Sequence, residues 1–290
     1  MNALALDPPE HGVHGWLLTA GWRCRAHGLN PEQAVREISA TGGRLRAGRR
    51  FQPGEVEEAV AKAYGATVER REREPKPQPP TWNPRETARL TEKHGTTPAD
   101  LWHASPVIPD DGLEQRFILS TLFPDPEGLL CIGRNTREFR TATLAEHGEL
   151  RHCEHVTPAY MTAREGLTKD NPPRLSEHAE SNTGPRRFIV CDFDKPPREE
   201  QPSIIYQLST FPVHKLALVV FSGNRSFHAW FPVSPSANEN RVFWRLAIML
   251  GADPFLEKNR SSFVRLPLGT RGSNGREQSV LYFNPEAIPQ

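Results

Sequence analysis

Residues 66–83 read ATVERREREPKPQPPTWN, a run of alternating charge that ends in four prolines. Such a stretch has almost nothing to bury and stays extended, so it works as a linker. It divides the 290-residue chain into residues 1–65 and residues 84–290. Each piece must then fold around its own core.

The first piece reads as a small helical module. VHGWLLTAGWRCRAHG sets Val13, Trp16, Leu17 and Ala20 at helical spacing and stops at Gly28. Asn30 and Pro31 supply an N-cap and first-turn residue for PEQAVREISATGG. A third helix, PGEVEEAVAKAYG, carries Val56, Ala59, Val60 and Ala63 on one face. Between the second and third lies RLRAGRRF, with four arginines in seven residues. It reads equally as a solvated loop and as a phosphate-binding loop.

The second piece changes period along its length. Residues 84–125 look helical, after which GLLCIG and EFRTATL read as strands. The Pro-rich region 156–185 reads as loop. RRFIVCDFD is a strand by its Phe-Ile-Val run, and EEQPSIIYQLSTF is a helix starting near Pro202. KLALVVFSG and SFHAWFPVS form a strand pair about the turn GNRS. ANENRVFWRLAIMLGAD is an amphipathic helix with Val242, Leu246 and Leu250 in one row and Phe243 and Ala247 beside it. SSFVRLPLG and QSVLYFN are short closing strands. Helices and hairpin-linked strands mixed in this way predict an α+β fold with flanking helices.

Composition narrows the partners. A formal net charge of +1 gives no general case for a polyanion, though a local basic face fits it. Cys24, Cys131, Cys153 and Cys191 are far apart and form no CxxC, which points to a reducing compartment. The N-terminus lacks a basic region followed by an apolar one, and no apolar run approaches membrane-spanning length. A soluble, cytoplasmic protein without a membrane partner is expected. No GxxxxGK[ST] loop is present, so any motor would have to come from another chain.

The chemistry starts at CDFD. On a strand, residues two apart share a face about 6–7 Å from one another. Asp192 and Asp194 would then repel unless a cation sat beside them, and oxygen ligands at a rigid strand end suit Mg²⁺ or Mn²⁺. A solvent-exposed pair with Lys195 as partner is the plain alternative. In VVFSGNRSFHAWF a turn precedes Ser226 and His228, which share a strand face and with Arg225 could cradle a triphosphate; a buried, satisfied histidine and an ordinary hairpin turn are the plain alternatives. LGADPF puts Asp253 directly after a helix, where a cap before a proline is the ordinary reading. SFVRLPLGTRG places Arg265 on a strand and Arg271 in the following turn.

In chain order these are apolar-Asp-x-Asp, Ser-x-His, apolar-Asp and an Arg-Leu-Pro strand. The set resembles the signature motifs of the archaeo-eukaryotic primase superfamily, or primase-polymerases, most closely branches carried by plasmids, phages and other mobile elements. CDFD is similar to the first motif, SFH to the second and GAD to the third. NTGPRRFIVCDFD, LALVVFSGNRSFHAWF and VRLPLGTRG also look like sequences of that group. The resemblance covers roughly residues 130–285, and the N-terminal module only loosely. It implies a catalytic core on an RNA-recognition-like (RRM-like) antiparallel sheet with flanking helices, in residues 84–290. It implies nucleotidyl transfer that makes primers on single-stranded DNA. Asp192, Asp194 and Asp253 would hold two divalent ions, Mg²⁺ or Mn²⁺. Ser226, His228, Arg225, Arg265 and Arg271 would bind the nucleoside triphosphate or template, and a replicative helicase would act in trans.

Leu268 departs from the resemblance, standing where many relatives have the glycine of Arg-Leu-Pro-Gly. Cys131, His147, His152, Cys153 and His155 could supply Zn²⁺ ligands. Their spacing fits no regular zinc pattern, and the neighbours His152 and Cys153 cannot easily both ligate. Trp82, Trp102 and Trp230 could stack on a single strand, but core packing is the ordinary role for each. Two alternatives accompany the polymerase reading. A metal-dependent nuclease also gathers carboxylates at strand ends, and a decayed replication module would bind DNA without catalysis.

Overall fold

The structure is a computed structural model that describes residues 13–42, 51–52, 54–65, 79–110 and 112–289. The chain divides into two compact units, residues 1–78 and 79–290. The arginine-rich loop 44–50 and linker residues 66–78 lie outside the described residues.

The smaller unit holds three helices, α1 (Val13–Ala26), α2 (Pro31–Gly42) and α3 (Glu55–Ala63). Asn30 and Gln33 cap α2 reciprocally, each backbone N–H donating to the other's side-chain oxygen at 2.9 Å. Leu17, Ala20 and Cys24 of α1 meet Ala34 and Ile38 of α2 and Val56, Ala59 and Val60 of α3 in one core. Gly21 lets α1 and α3 approach, since a Cβ there would stand 2.8 Å from the Ala63 Cβ.

The larger unit opens with α4 (Pro84–His94), α5 (Pro98–His103) and α6 (Gln115–Leu122). Asn83 accepts from the Glu86 N–H to start α4, and its own N–H donates to Met249 O at 2.8 Å. The end of the expected linker is thereby tied into this unit.

Strands follow: β1 (Leu129–Gly133), β2 (Phe139–Thr143), β3 (His155–Val156), β4 (Ala159–Met161), β5 (Gly166–Leu167), β6 (Leu175–Ser176) and β7 (Thr183–Arg186). β2 pairs with one edge of β1; β3 and then β4 run along the other. β7 adds beside β4, and β5 pairs only with β6. The region 156–185, expected as loop, thus carries short ladders. Runs of two to four residues are too brief for alternation to be read from sequence.

The remaining elements are β8 (Phe188–Asp192), α7 (Gln201–Ser209), β9 (Leu218–Phe221), β10 (Phe227–Pro232), α8 (Ala237–Met249), α9 (Pro254–Lys258), β11 (Val264–Arg265) and β12 (Val280–Phe283). A second sheet runs in the order β12-β9-β10-β8, every pairing antiparallel. β10 is inserted between β8 and β9, a split βαβ unit closed by α7. β8 is left at the sheet edge. β11 leaves for the first sheet and pairs with β3, Arg265 opposite His155.

The fold class is therefore α+β, with antiparallel sheets and flanking helices. One core joins both sheets, with Trp230, Phe188, Phe193, Phe231 and Phe243 among its fully buried rings. Of the face expected for α8, Phe243, Ala247 and, just past its end, Leu250 are buried and Leu246 packs against the core, but the buried side is shifted away from Val242. Phe243, Trp244, Ala247 and Ile248 are buried while Val242 is exposed. The packing of Phe243 against Phe211, His214 and Phe231 sets the helix rotation. No helix among the described residues is long and apolar enough to cross a membrane.

Candidate functional site

Asp192 is the last residue of β8 and stands opposite His228 of β10 in the ladder. Their side chains meet, His228 Nε2 lying 3.4 Å from Asp192 Oδ1. Asp192 Oδ1 and both His228 ring nitrogens are buried without a hydrogen bond. Buried polar atoms of this kind cost stability and mark a place where a ligand can complete the bonding.

Asp194 lies beyond the strand end and is half exposed, with Arg225 Nε donating to its Oδ1 at 3.3 Å. Of the i and i+2 acids, Asp192 is on β8 and Asp194 follows it in the loop, and the Asp194 charge still acts on the Asp192 carboxyl. Asp253 comes from elsewhere. It caps the start of α9, its Oδ1 accepting from Phe255 N–H at 2.9 Å, rather than ending α8. Its backbone N–H donates to Asp192 O at 2.9 Å, which stitches the segment before α9 onto the free edge of β8.

The charges of Asp194 and Asp253 act on Asp192. Burial first, then the charge of Asp194, raises the Asp192 carboxyl from 3.8 to about 7; Asp253 adds to the rise, while Ser226 and Arg265 oppose it. Among the described residues no three carboxylate, imidazole or thiolate groups already form a ready metal cage. The donor chemistry still suits a hard divalent cation, with a buried unpartnered carboxylate oxygen beside two further carboxylates.

The opposite wall is basic. Arg265 on β11 and Arg271 in the next turn both act on His228, and with burial as the largest cause they hold its pKa well below the usual value. The ring is neutral. Arg271 Nη1 donates to Ser222 O at 3.3 Å, and Asn274 Nδ2 to Gly223 O at 3.0 Å, locking the 270s turn against the SGNRS turn. Ser226 is buried and bonds the Ser222 hydroxyl at 3.2 Å. Asp192, Asp194, Asp253, Ser226, His228, Arg265 and Arg271 are thus linked by hydrogen bonds or charge around the Asp192 end of β8, with the exposed Arg225 beside Asp194.

Glu154 and His155 belong to this region too, and the sequence reading left Glu154 out. Arg265 Nη1 donates to Glu154 Oε1 and lies 3.2 Å from His155 Nε2. Burial, then the Arg265 charge, pulls the His155 ring down to about 4. The signal available in sequence was only an acid between a cysteine and a histidine, Cys153-Glu154-His155, directly before an apolar residue. Leu268, at the position where glycine was expected, has φ 56°, the left-handed conformation that glycine adopts without strain.

Three of the five zinc candidates have other occupations. The Cys131 thiol is buried in β1 and pushed up to about 12, His147 Nε2 lies 3.0 Å from Leu130 O, and His155 faces Arg265. Trp230 is in the core, and Trp102 Nε1 donates to Pro109 O at 3.2 Å.

Comparison with known proteins found no matching family model, no matching curated protein and no matching solved structure.

Proposed function

We propose that the Asp192 end of β8 is a nucleotidyl-transfer centre of primase-polymerase type, which builds primers on single-stranded DNA from nucleoside triphosphates. One observation carries this reading. The charges of Asp194 and Asp253 act on Asp192, whose buried Oδ1 has no hydrogen bond and lies 3.4 Å from His228 Nε2, and the charges of Arg265 and Arg271 act on His228. Negative charge gathered beside positive charge suits a cation and a polyphosphate held together.

Asp192, Asp194 and Asp253 would hold two divalent ions, Mg²⁺ or Mn²⁺. Bound there, the ions would lower the pKa of an attacking 3′-hydroxyl and neutralise charge on the departing pyrophosphate. The chain's own groups do the rest. His228, kept neutral, can donate one ring N–H to a phosphate oxygen, and the Ser226 hydroxyl can donate another. Arg265 and Arg271 offer planar forks that match phosphate oxygens. Arg225 is exposed, and its pairing with Asp194 is solvent-screened, so exchanging it for a phosphate costs little. A helicase acting in trans fits a chain without a P-loop.

The test is incubation of the full chain with single-stranded DNA, labelled nucleotides and Mg²⁺ or Mn²⁺. Short products are expected from wild type and none from the Asp192→Ala/Asp194→Ala variant. Strand cleavage without synthesis would favour the nuclease reading, and equal synthesis by both proteins would remove the polymerase one.

A further inference from the structure

Glu154 makes five backbone and side-chain hydrogen bonds that tie three segments together. Its N–H donates to Gly133 O at 2.8 Å, and its carbonyl accepts from Leu266 N–H at 3.1 Å and from Gln278 Nε2 at 3.1 Å. Of its carboxylate oxygens, Oε1 accepts from Arg265 and Oε2 from Gly272 N–H at 3.1 Å. Only a tenth of the side chain is exposed. Both oxygens are thus committed to the protein, which sets Glu154 apart from Asp192, whose Oδ1 has no hydrogen bond.

What Glu154 holds is the basic wall of the site. Arg265 acts on both Asp192 and His228, and Arg271 directly precedes the glycine that Glu154 binds. Without a carboxylate of its own, the largely buried Arg265 guanidinium would be left with Asp192, on which its charge already acts, as a counter-charge in the site. A buried cation seeks such a pairing strongly. A guanidinium drawn there would repel a divalent ion.

We propose that Glu154 is a positioning residue that neutralises Arg265 and so keeps the Asp192 carboxylate available to a divalent cation. The inference rests on the metal-site reading of Asp192. It extends that reading by making cation affinity depend on a charge that never touches the cation.

The experiment is Mn²⁺ binding to the full chain, followed by electron paramagnetic resonance of free Mn²⁺, for four proteins. These are wild type, Glu154→Gln, Arg265→Gln and the double variant Glu154→Gln/Arg265→Gln, with thermal melting of each. Glu154→Gln keeps one acceptor, for Gly272, and turns its amide NH2 toward Arg265, so it removes both the charge and the acceptor that hold the guanidinium. It is expected to bind Mn²⁺ at least about tenfold more weakly than wild type. The double variant is expected to recover to within about threefold of wild type, because the charge that needed neutralising has gone. A purely structural role would leave the double variant as weak as the single one or weaker, and that result overturns the proposal. So does unchanged binding by Glu154→Gln. If Glu154→Gln fails to fold, Arg265→Gln decides: binding at least as tight as wild type supports the proposal, and weaker binding overturns it. Wild type that binds Mn²⁺ through Asp192 but incorporates no nucleotide would sink the polymerase reading and leave this one standing. Wild type that binds no Mn²⁺ would sink both.

Discussion

His228 and Asp192 face each other across β10 and β8 with Nε2 3.4 Å from Oδ1, neither atom in a hydrogen bond. An acid and an imidazole at this distance would ordinarily settle into an ion pair. Burial and the neighbouring arginines instead hold the ring neutral, while burial and the charge of Asp194 favour the protonated acid. Held this way, neither group readily carries charge.

That arrangement gives Asp192 a distinctive pH signature. Its carboxyl goes from 3.8 to about 7 in the fold, so the folded state holds this proton more tightly than the unfolded chain. The resulting stabilisation is complete below about pH 4 and is lost as pH rises through about 7. Asp192→Asn removes the dependence. The variant should match wild type near pH 4 and exceed it at pH 8 by on the order of a few kcal/mol. His228 works in the opposite sense, favouring the fold above pH 6.5 and losing that contribution as pH falls, but it is present in both proteins and cancels. Urea melts from pH 4 to pH 8 check this; parallel profiles for the two proteins would contradict it.

Asp253 combines two roles that substitution can separate. Its side chain caps α9, and its charge acts on Asp192. Asp253→Asn keeps an oxygen for Phe255 N–H, so stability should change by less than about 0.5 kcal/mol while nucleotide incorporation falls at least about a hundredfold. Asp253→Ala loses both, and stability should drop by about 1 kcal/mol. Equal incorporation by Asp253→Asn and wild type would reduce this residue to a helix cap.

Cation binding at the three acids should also appear as stability. A ligand that binds only the folded state at 100 times its Kd adds about 2.7 kcal/mol. Mn²⁺ should therefore raise the melting temperature of wild type at pH 7.5 by several degrees. It should leave Asp192→Asn/Asp194→Asn unmoved. A rise of the same size in both would place the ion elsewhere.

Much of this was readable in the chain because the signals are local. The hairpin around SGNRS, the apolar run before Asp192 and the Ser-x-His spacing each sit within a few residues, and each sits at the region described. Leu268 stood out in sequence as a replaced glycine, and its φ of 56° supplies the physical reason for a glycine there. What could not be read was convergence. Nothing in LGADPF says that Asp253 N–H will reach Asp192 O, and nothing in CEH says that Glu154 will meet Arg265, 111 residues later. Those contacts come from sheet order and from β11 leaving one sheet for the other, which depend on the whole core. The end of β8 could not be read either: the strand stops at Asp192, two residues before Asp194.

The approach of Asp253 to Asp192 depends on Gly251. This residue has φ 100°, outside the range that L side chains readily take, and a Cβ there would stand 2.5 Å from Pro196 Cγ. Pro196 lies two residues after Asp194, so the missing side chain is what lets the end of α8 close onto the segment that carries the first two acids. Gly251→Ala meets two costs at once, a strained backbone and a clash with a rigid ring. Together these should destabilise the larger unit by about 1–3 kcal/mol. Because the clash pushes apart the segments bearing Asp194 and Asp253, Mn²⁺ affinity should fall with stability, and excess Mn²⁺ should restore part of the lost melting temperature. Calorimetric melts of Gly251→Ala with and without Mn²⁺ measure both effects. A variant as stable as wild type that binds Mn²⁺ equally well would show that the close approach at Gly251 does not set the spacing of the acids.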